Sequence, residues 1–262
     1  MAKKAVKKKA SGKKSVKRTA PARKAPAIVR ALGAVSTEEL TQELDAIIHE
    51  KARDRTKHPF VQAVLAGKAT NNQIAGWLHQ FALWADPSNK LFGVMWARCP
   101  DDDLRQGILE NMLEEEYGEF SKTAGHMRLI DKTLVEFGWS QKKQEADEIK
   151  PESCLQKHWI EVVIRNRPIV ESLAATSFTA ERMNPFVFAL LEKGLRKHYR
   201  LTEDGLRSVS VHASHVEEEH GSLGPIAMRR YATTKQAQDG VRFAVTHTAD
   251  VYYNQYNVWN YY

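Results

Sequence analysis

From Ser36 to the last residue, apolar side chains recur at helical spacing in segment after segment. Alternating β-branched runs bounded by Asn-Gly or Asp-Gly turns are nearly absent. A chain patterned this way has no sheet to build and must bury its helix stripes against one another. The helix starts are marked. Ser36 with Glu39 and Thr70 with Gln73 have capping-box spacing, and Asp101 to Asp103 place acids at the positive end of the next helix. Pro87 is expected to end or kink the helix opened at Thr70, and Pro100 to stop its continuation from Leu91 to Cys99. Further helices are expected over His126–Phe137, Cys154–Ser177, Asn184–His198, Thr202–Tyr231 and Thr234 to about Tyr261. No repeat of solenoid length is present. The reading is one all-α domain over residues 36–262, a bundle of about seven or eight helices.

Charge divides the chain unevenly. Residues 1–30 carry twelve Lys or Arg and no acid, leaving 27 basic against 32 acidic residues beyond them. The net charge of +7 therefore belongs to a Lys/Ala/Ser/Pro-rich segment, and the rest of the chain is mildly acidic. Such a composition cannot bury enough apolar surface to fold alone, so residues 1–35 are expected to form a disordered tail with weak, salt-sensitive attraction to polyanions. No apolar run is long enough to span a bilayer and no secretory h-region is visible. The two cysteines, Cys99 and Cys154, form no C-x-x-C pair and read as buried thiols in a reducing cytoplasm.

Three segments could collect metal ligands. They are Glu114-Glu115-Glu116 followed by His126, Glu181 in a small apolar stretch, and His212 to Gly221 with its run of acids and histidines. Helical bundles hold metals by aiming Glu and His inward from several helices, and Glu217 with His220 has the Glu-x-x-His spacing that places both on one face. By spacing alone the Glu-x-x-His pair and the Glu114–Glu116 run read first as solvated acidic faces, and Glu181 as the ion-pair partner of Arg182, Lys193 or another base.

Longer patterns sharpen this. His58-Pro59-Phe60, Gly67-Lys68-Ala69-Thr70, Gln73-Ile74, Trp77 and Cys99-Pro100-Asp101 resemble the PqqC/TenA superfamily, whose fold is that of haem oxygenase. Glu115-Glu116-Tyr117-Gly118 with His126, Ala180-Glu181-Arg182-Met183-Asn184-Pro185, and Glu217 with His220 resemble its di-iron oxidase branch, over roughly residues 40–235. The resemblance implies Glu116, His126, Glu181, Glu217 and His220 as metal ligands. The pattern wants a further histidine at position 213, where this chain has Ala213. His212 is the neighbouring candidate, and a one-residue π-bulge would turn it into line. His215 lies two positions beyond Ala213, and the alternatives are an incomplete site or one completed by water or by another residue such as His247. The branch members that form para-aminobenzoate sacrifice a tyrosine and use a lysine. Where that tyrosine is expected this chain has Val61 and Leu191, with Lys193 close by, which counts against that reaction.

The function implied is an iron-dependent oxidase or oxygenase, holding two Fe (or Mn) and using O₂ on a small molecule in cofactor or secondary-metabolite biosynthesis. The substrate would lie beside the metals against Trp77, Phe81 and Trp84, side chains that also read as plain core. Homodimers are expected by analogy with the superfamily. Two alternatives stand: a cofactor-independent PqqC-like oxidase, favoured by Ala213, and a non-enzymatic regulatory or nucleic-acid-associated protein acting through the tail. A TenA-type hydrolase would need a nucleophilic cysteine in a recognisable setting.

Overall fold

A computed structural model describes residues 33–213 and 222–262. The Lys-rich tail over residues 1–32 lies outside the described residues, as do His215, Glu217 and His220. Among the described residues every regular element is helical. The α-helices are α1 (Thr37–Ile48), α2 (Pro59–Leu65), α3 (Asn71–Asn89), α4 (Phe92–Arg98), α5 (Asp102–Tyr117), α6 (His126–Glu136) and α7 (Gln141–Ala146). They continue with α8 (Pro151–Asn166), α9 (Ile169–Leu173), α10 (Asn184–His198), α11 (Glu203–His212), α12 (Leu223–Tyr231) and α13 (Lys235–Gln255). A π-helical stretch, Ala174–Ala180, joins α9 to α10 through a 3₁₀ turn at Glu181–Met183, and another 3₁₀ turn, Tyr256–Tyr261, closes the chain. None of these helices is long and apolar enough to cross a membrane.

The helices outnumber the seven or eight expected, chiefly because single periodic runs are cut. The run expected over Cys154–Ser177 breaks at Arg167–Pro168, since proline cannot donate to the preceding turn and drives residue 167 into an extended conformation. Pro87 sits inside the last turn of α3, which runs two residues further to Asn89 before the next helix opens at Phe92. The starts follow their caps. Ser36–Glu39 and Thr70–Gln73 form complete capping boxes, and the Asp101 side chain accepts from the amides of Asp103 and Leu104.

The buried apolar residues form two large clusters. One gathers Leu40, Leu44, Leu104, Ile108, Ile160, Phe178 and Val241, and the other Phe60, Trp77, Leu134, Phe188, Leu206 and Tyr256. Phe81 of α3 and Met127 of α6 pack against both. The seam they mark is where the polar residues of interest converge.

His58 ties the start of α2 to the C-terminal turn. It is fully buried; its Nδ1 accepts from the Phe60 amide at 3.1 Å, while Nε2 lies 3.1 Å from the Asn257 Oδ1 it donates to. Burial pushes its pKa down to about 4, against a smaller upward pull from Asn257. Above the unfolded-state value of about 6.5 both states are neutral. Below it the unfolded chain takes up a proton that the folded one refuses, so stability falls by about 1.4 kcal/mol per pH unit toward pH 4. Urea unfolding of metal-free protein between pH 7 and about pH 4 should show this slope, and His58→Asn, which keeps an N-cap, should reduce it. Equal slopes in the two proteins would contradict this account of His58.

Candidate metal centre

The α5–α6 corner builds one side of the site. Asn111, Glu114 and Glu115 are spaced i, i+3, i+4 on α5 and share its inward face. Gly118 ends the helix in the left-handed region at φ 63°, where a Cβ would come within 2.5 Å of the Thr123 carbonyl oxygen. Gly125 starts α6 so close to α5 that a Cβ there would lie 2.2 Å from the Glu116 carbonyl oxygen. These two glycines let α6 begin directly against the end of α5, with His126 as its first residue.

His126 is consequently held by two adjacent carboxylates. Its Nε2 lies 3.0 Å from Glu114 Oε1 and its Nδ1 lies 3.1 Å from Glu115 Oε1. Glu114 is fully buried, and its other oxygen accepts the amides of Phe120 at 2.7 Å and Ser121 at 3.0 Å. Burial opposes its charge, but hydrogen bonds from His126 and Ser121 win and hold the carboxyl well below the usual range. Glu115 accepts from Asn89 Nδ2 at 3.1 Å.

The third group arrives from α11. His212 is buried; its Nδ1 donates to the Ser208 carbonyl at 2.8 Å, which leaves Nε2 as the acceptor nitrogen. Its ring stacks on Phe188 and meets His126 edge-on, each at a centroid distance of 4.7 Å. Burial and the neighbouring His126 push its pKa down to about 4, so it is a neutral imidazole near pH 7. One ligand atom each from Glu115, His126 and His212 lies within 4.8 Å of the others.

Glu181 faces the same pocket from the end of the π-helical stretch. Its Oε1 accepts from Asn111 Nδ2 at 2.6 Å, and its buried Oε2 has no hydrogen-bond partner among the described residues. Burial raises its pKa to about 8; the Asn111 hydrogen bond opposes this and the like charge of Glu115 adds to it. The wide π turn is secured from outside by Arg55, itself buried. Its guanidinium donates to the Ala180 carbonyl at 2.7 Å, to the Thr179 carbonyl at 3.4 Å and to Asn184 Oδ1 at 3.2 Å.

The sequence-derived positions thus sort as follows. His126, Glu181 and His212 line or form one site, whereas Glu116 does not join it. Glu115 does, because one residue is about 100° of helix, and Glu116 is half-buried near Lys90. α11 is a regular α-helix up to His212, the stretch between Ala213 and Glu217 where a bulge was expected lies outside the described residues, and a π-helical stretch that was not expected precedes Glu181. His247 is exposed and packs on Phe243 and Trp159. Phe81, Trp84 and Tyr252 line the pocket together with Glu115, Glu181 and His212, while Trp77 belongs to the core. Cys99 is buried, Cys154 is half-buried against His158, and neither lines the pocket.

An orphaned buried carboxylate oxygen, a second carboxylate and two imidazoles suit a divalent ion that accepts mixed N and O ligands, such as iron or manganese. The profile of the iron-containing redox enzymes matches residues 75–253, a span that includes Glu115, His126, Glu181 and His212. The chain belongs to that family. It is 25% identical over 229 residues to a 4-aminobenzoate synthase of Nitrosomonas europaea, covering 82% of this chain and 89% of that one. A 4-aminobenzoate synthase of Chlamydia muridarum is 28% identical over 106 residues, where the match spans 40% of this chain and 42% of the relative. Among solved structures, a TenA homologue from Pseudomonas syringae superposes with a TM-score of 0.71 at 14% identity, covering 87% of this chain and 96% of that one. A CADD-like protein of unknown function from Nostoc punctiforme gives 0.68 at 16% identity, over 86% and 97% of the two chains. The fold is accordingly haem-oxygenase-like.

Sequence reasoning missed Asn111 and Arg55, and it named Glu114 only within the acidic run, without its role behind His126. Asn111 and Glu114 carried a signal, the i, i+3, i+4 spacing with Glu115, that a run of three glutamates hides. Arg55 carried none.

Proposed function

We propose that this family member is an iron-dependent oxidase that uses O₂ on a small, largely apolar molecule held beside Glu115, His126, Glu181 and His212. The observation that carries the reading is the buried convergence of Glu115, His126 and His212 from α5, α6 and α11, with Glu181 opposite. Glu217 and His220, by their Glu-x-x-His spacing, are assigned to a second ion. Bound iron would supply the electrons and Lewis acidity that O₂ reduction requires.

The chain's own residues do the rest. Glu114 accepts from His126 Nε2 and so fixes the ring with Nδ1 turned to the site, and the Ser208 carbonyl fixes His212 with Nε2 turned inward. Asn111 orients Glu181, leaving Oε2 available. Phe81, Trp84, Phe92, Ile160, Ile164 and Tyr252 wall the pocket, exclude water and present an apolar surface to the substrate.

The test is to load the full-length protein with Fe(II) under anaerobic conditions, then measure iron per chain and O₂ uptake. Retained iron with O₂ uptake is expected; negligible iron and no uptake would refute the reading. Glu114→Gln should weaken iron binding about 10–100-fold while leaving the fold intact, as for other carboxylates that support a ligating histidine. Unchanged affinity in that variant would remove Glu114 from the site.

The two 4-aminobenzoate synthases favour a second reading, in which 4-aminobenzoate is the product. Against a tyrosine-consuming version, Val61 is packed in the core and Lys193 is exposed on α10, while Tyr252 is the phenol in the pocket wall. Mass-spectrometric detection of 4-aminobenzoate after aerobic incubation of the iron-loaded protein alone would establish that reading in place of the first.

A further inference from the structure

Three tryptophans are joined by a chain of ring contacts that runs from the pocket to a half-buried ring. Trp84 is in the pocket wall. Its contact Phe81 is 5.0 Å away and lies 5.9 Å from Trp77, all as ring centroids. Trp77 is 5.0 Å from Phe60, and Phe60 is 5.7 Å from the half-buried Trp259 of the C-terminal 3₁₀ turn. Tyr256 flanks the middle of the row, 5.0 Å from Trp77.

Packing alone accounts poorly for tryptophan at two of these places. The indole Nε1 atoms of Trp77 and Trp84 are buried with no hydrogen-bond partner among the described residues. A buried donor left unpaired is a standing cost that phenylalanine would avoid while filling most of the same space. What indole has and phenyl lacks is ready one-electron oxidation. An N–H facing no acceptor also keeps its proton when the ring is oxidised, so charge can move without a proton transfer.

We propose that Trp84, Trp77 and Trp259 form an electron relay that drains oxidising equivalents from the pocket when O₂ is reduced there with no substrate bound. This rests on the oxidase reading above. Trp84 gives one electron to the O₂-derived oxidant, which is reduced, and becomes an indole radical cation. Trp77 re-reduces Trp84 across Phe81, and Trp259 re-reduces Trp77 across Phe60. At the surface a soluble thiol gives Trp259 one electron, loses its proton to water and couples with a second thiyl radical as a disulfide. No bond within the protein is broken. Without thiol, the Trp259 radical cation loses its N–H proton to water, and the neutral indolyl radical adds O₂ to give an oxygen adduct.

The test uses full-length wild type, Trp77→Phe and Trp259→Phe. Each is loaded with Fe(II) and exposed to O₂ without substrate or thiol, with iron content, O₂ uptake and peptide mass spectra recorded on the same samples. Wild type should carry its oxygen adducts at Trp259. In Trp77→Phe these should be lost from Trp259 and appear at Trp84 and Met127, and in Trp259→Phe they should stop at Trp77 and Tyr256. Adduct positions that do not change between wild type and either variant would overturn the relay. A second arm works on metal-free protein with photogenerated tris(bipyridyl)ruthenium(III), an oxidant too bulky to enter the pocket. Adducts should reach Trp84 in wild type and be lost from it in Trp77→Phe; adducts confined to surface residues in wild type would also overturn the relay. Iron and O₂ uptake absent from the first arm, with Trp77-dependent adducts in the second, would refute the oxidase reading while leaving the electron path in place. Trp259→Phe alters only a half-buried ring, so one variant remains informative if Trp77→Phe fails to fold.

Discussion

In the centre proposed above, replacing His212 by alanine is expected to lower Fe(II) affinity beyond the about 100-fold that marks the upper end of effects from residues behind the ligands. His212 carries this weight because its Nδ1 donates to the Ser208 carbonyl, which fixes the ring with Nε2 turned toward Glu115 and His126. The histidine expected from the family pattern falls on Ala213, and the pair of variants that tests this is His212→Ala alone and combined with Ala213→His. Ala213 packs against the Phe60–Trp77–Phe188 cluster, and its position is turned about 100° from that of His212. The double variant should therefore remain as poor in iron as the single one. Recovery of iron in the double variant would mean that position 213 is the ligand position and that the α11 register described here is wrong. Equilibrium dialysis against Fe(II), or Mn(II) to avoid oxidation, reads the outcome without requiring turnover.

What could be read from sequence followed the range of the physics behind it. Local effects were legible: the capping boxes at Ser36 and Thr70 and the acids at Asp101 set helix starts through contacts three residues apart, and the structure has them. Glu181 stood out because a carboxylate among small apolar residues is unusual whatever the fold, and His126 because it follows the run of three glutamates and fits the first ligand pair of the family pattern. The choice of Glu116 over Glu115 failed on register. Three consecutive glutamates span about 200° of helix, and the seating of α6, set by Gly118 and Gly125, decides that Glu114 and Glu115 meet His126 while Glu116 turns away. The cut at Pro168 was local, yet the helix expected over Cys154–Ser177 ran through it; the place of Pro87 inside α3 was not local, because packing along α3 holds that helix together across the missing donor. The π-helical stretch before Glu181 depends on a residue more than a hundred positions away, and no local pattern announces it.

That residue is Arg55, and its replacement by methionine should have the second-largest effect. The π turn leaves carbonyls at Thr179 and Ala180 pointing away from the regular helix ladder, and Arg55 supplies donors to both and to Asn184, which opens α10. Losing a charged donor to a buried acceptor costs about 1.5–3 kcal/mol each, and removing a buried charge returns several kcal/mol of desolvation. The acceptors stay buried after the substitution, so the first effect should prevail, for a net loss of about 3 kcal/mol, or about 6–12 °C in melting temperature for a chain of this size. Arg55→Lys should rescue little, because a single ammonium cannot reach three acceptors arranged for a planar fork. The loss should extend to the metal centre, since Glu181 is the next residue after the Ala180 carbonyl that Arg55 holds. Iron affinity in Arg55→Met should fall alongside stability, whereas a core substitution of equal cost remote from the π turn, such as Leu134→Ala, should lower stability alone. If both variants lose iron to the same degree, Arg55 acts only through global stability. A loss confined to Arg55→Met would show that the turn it clamps is what aims Glu181 into the site.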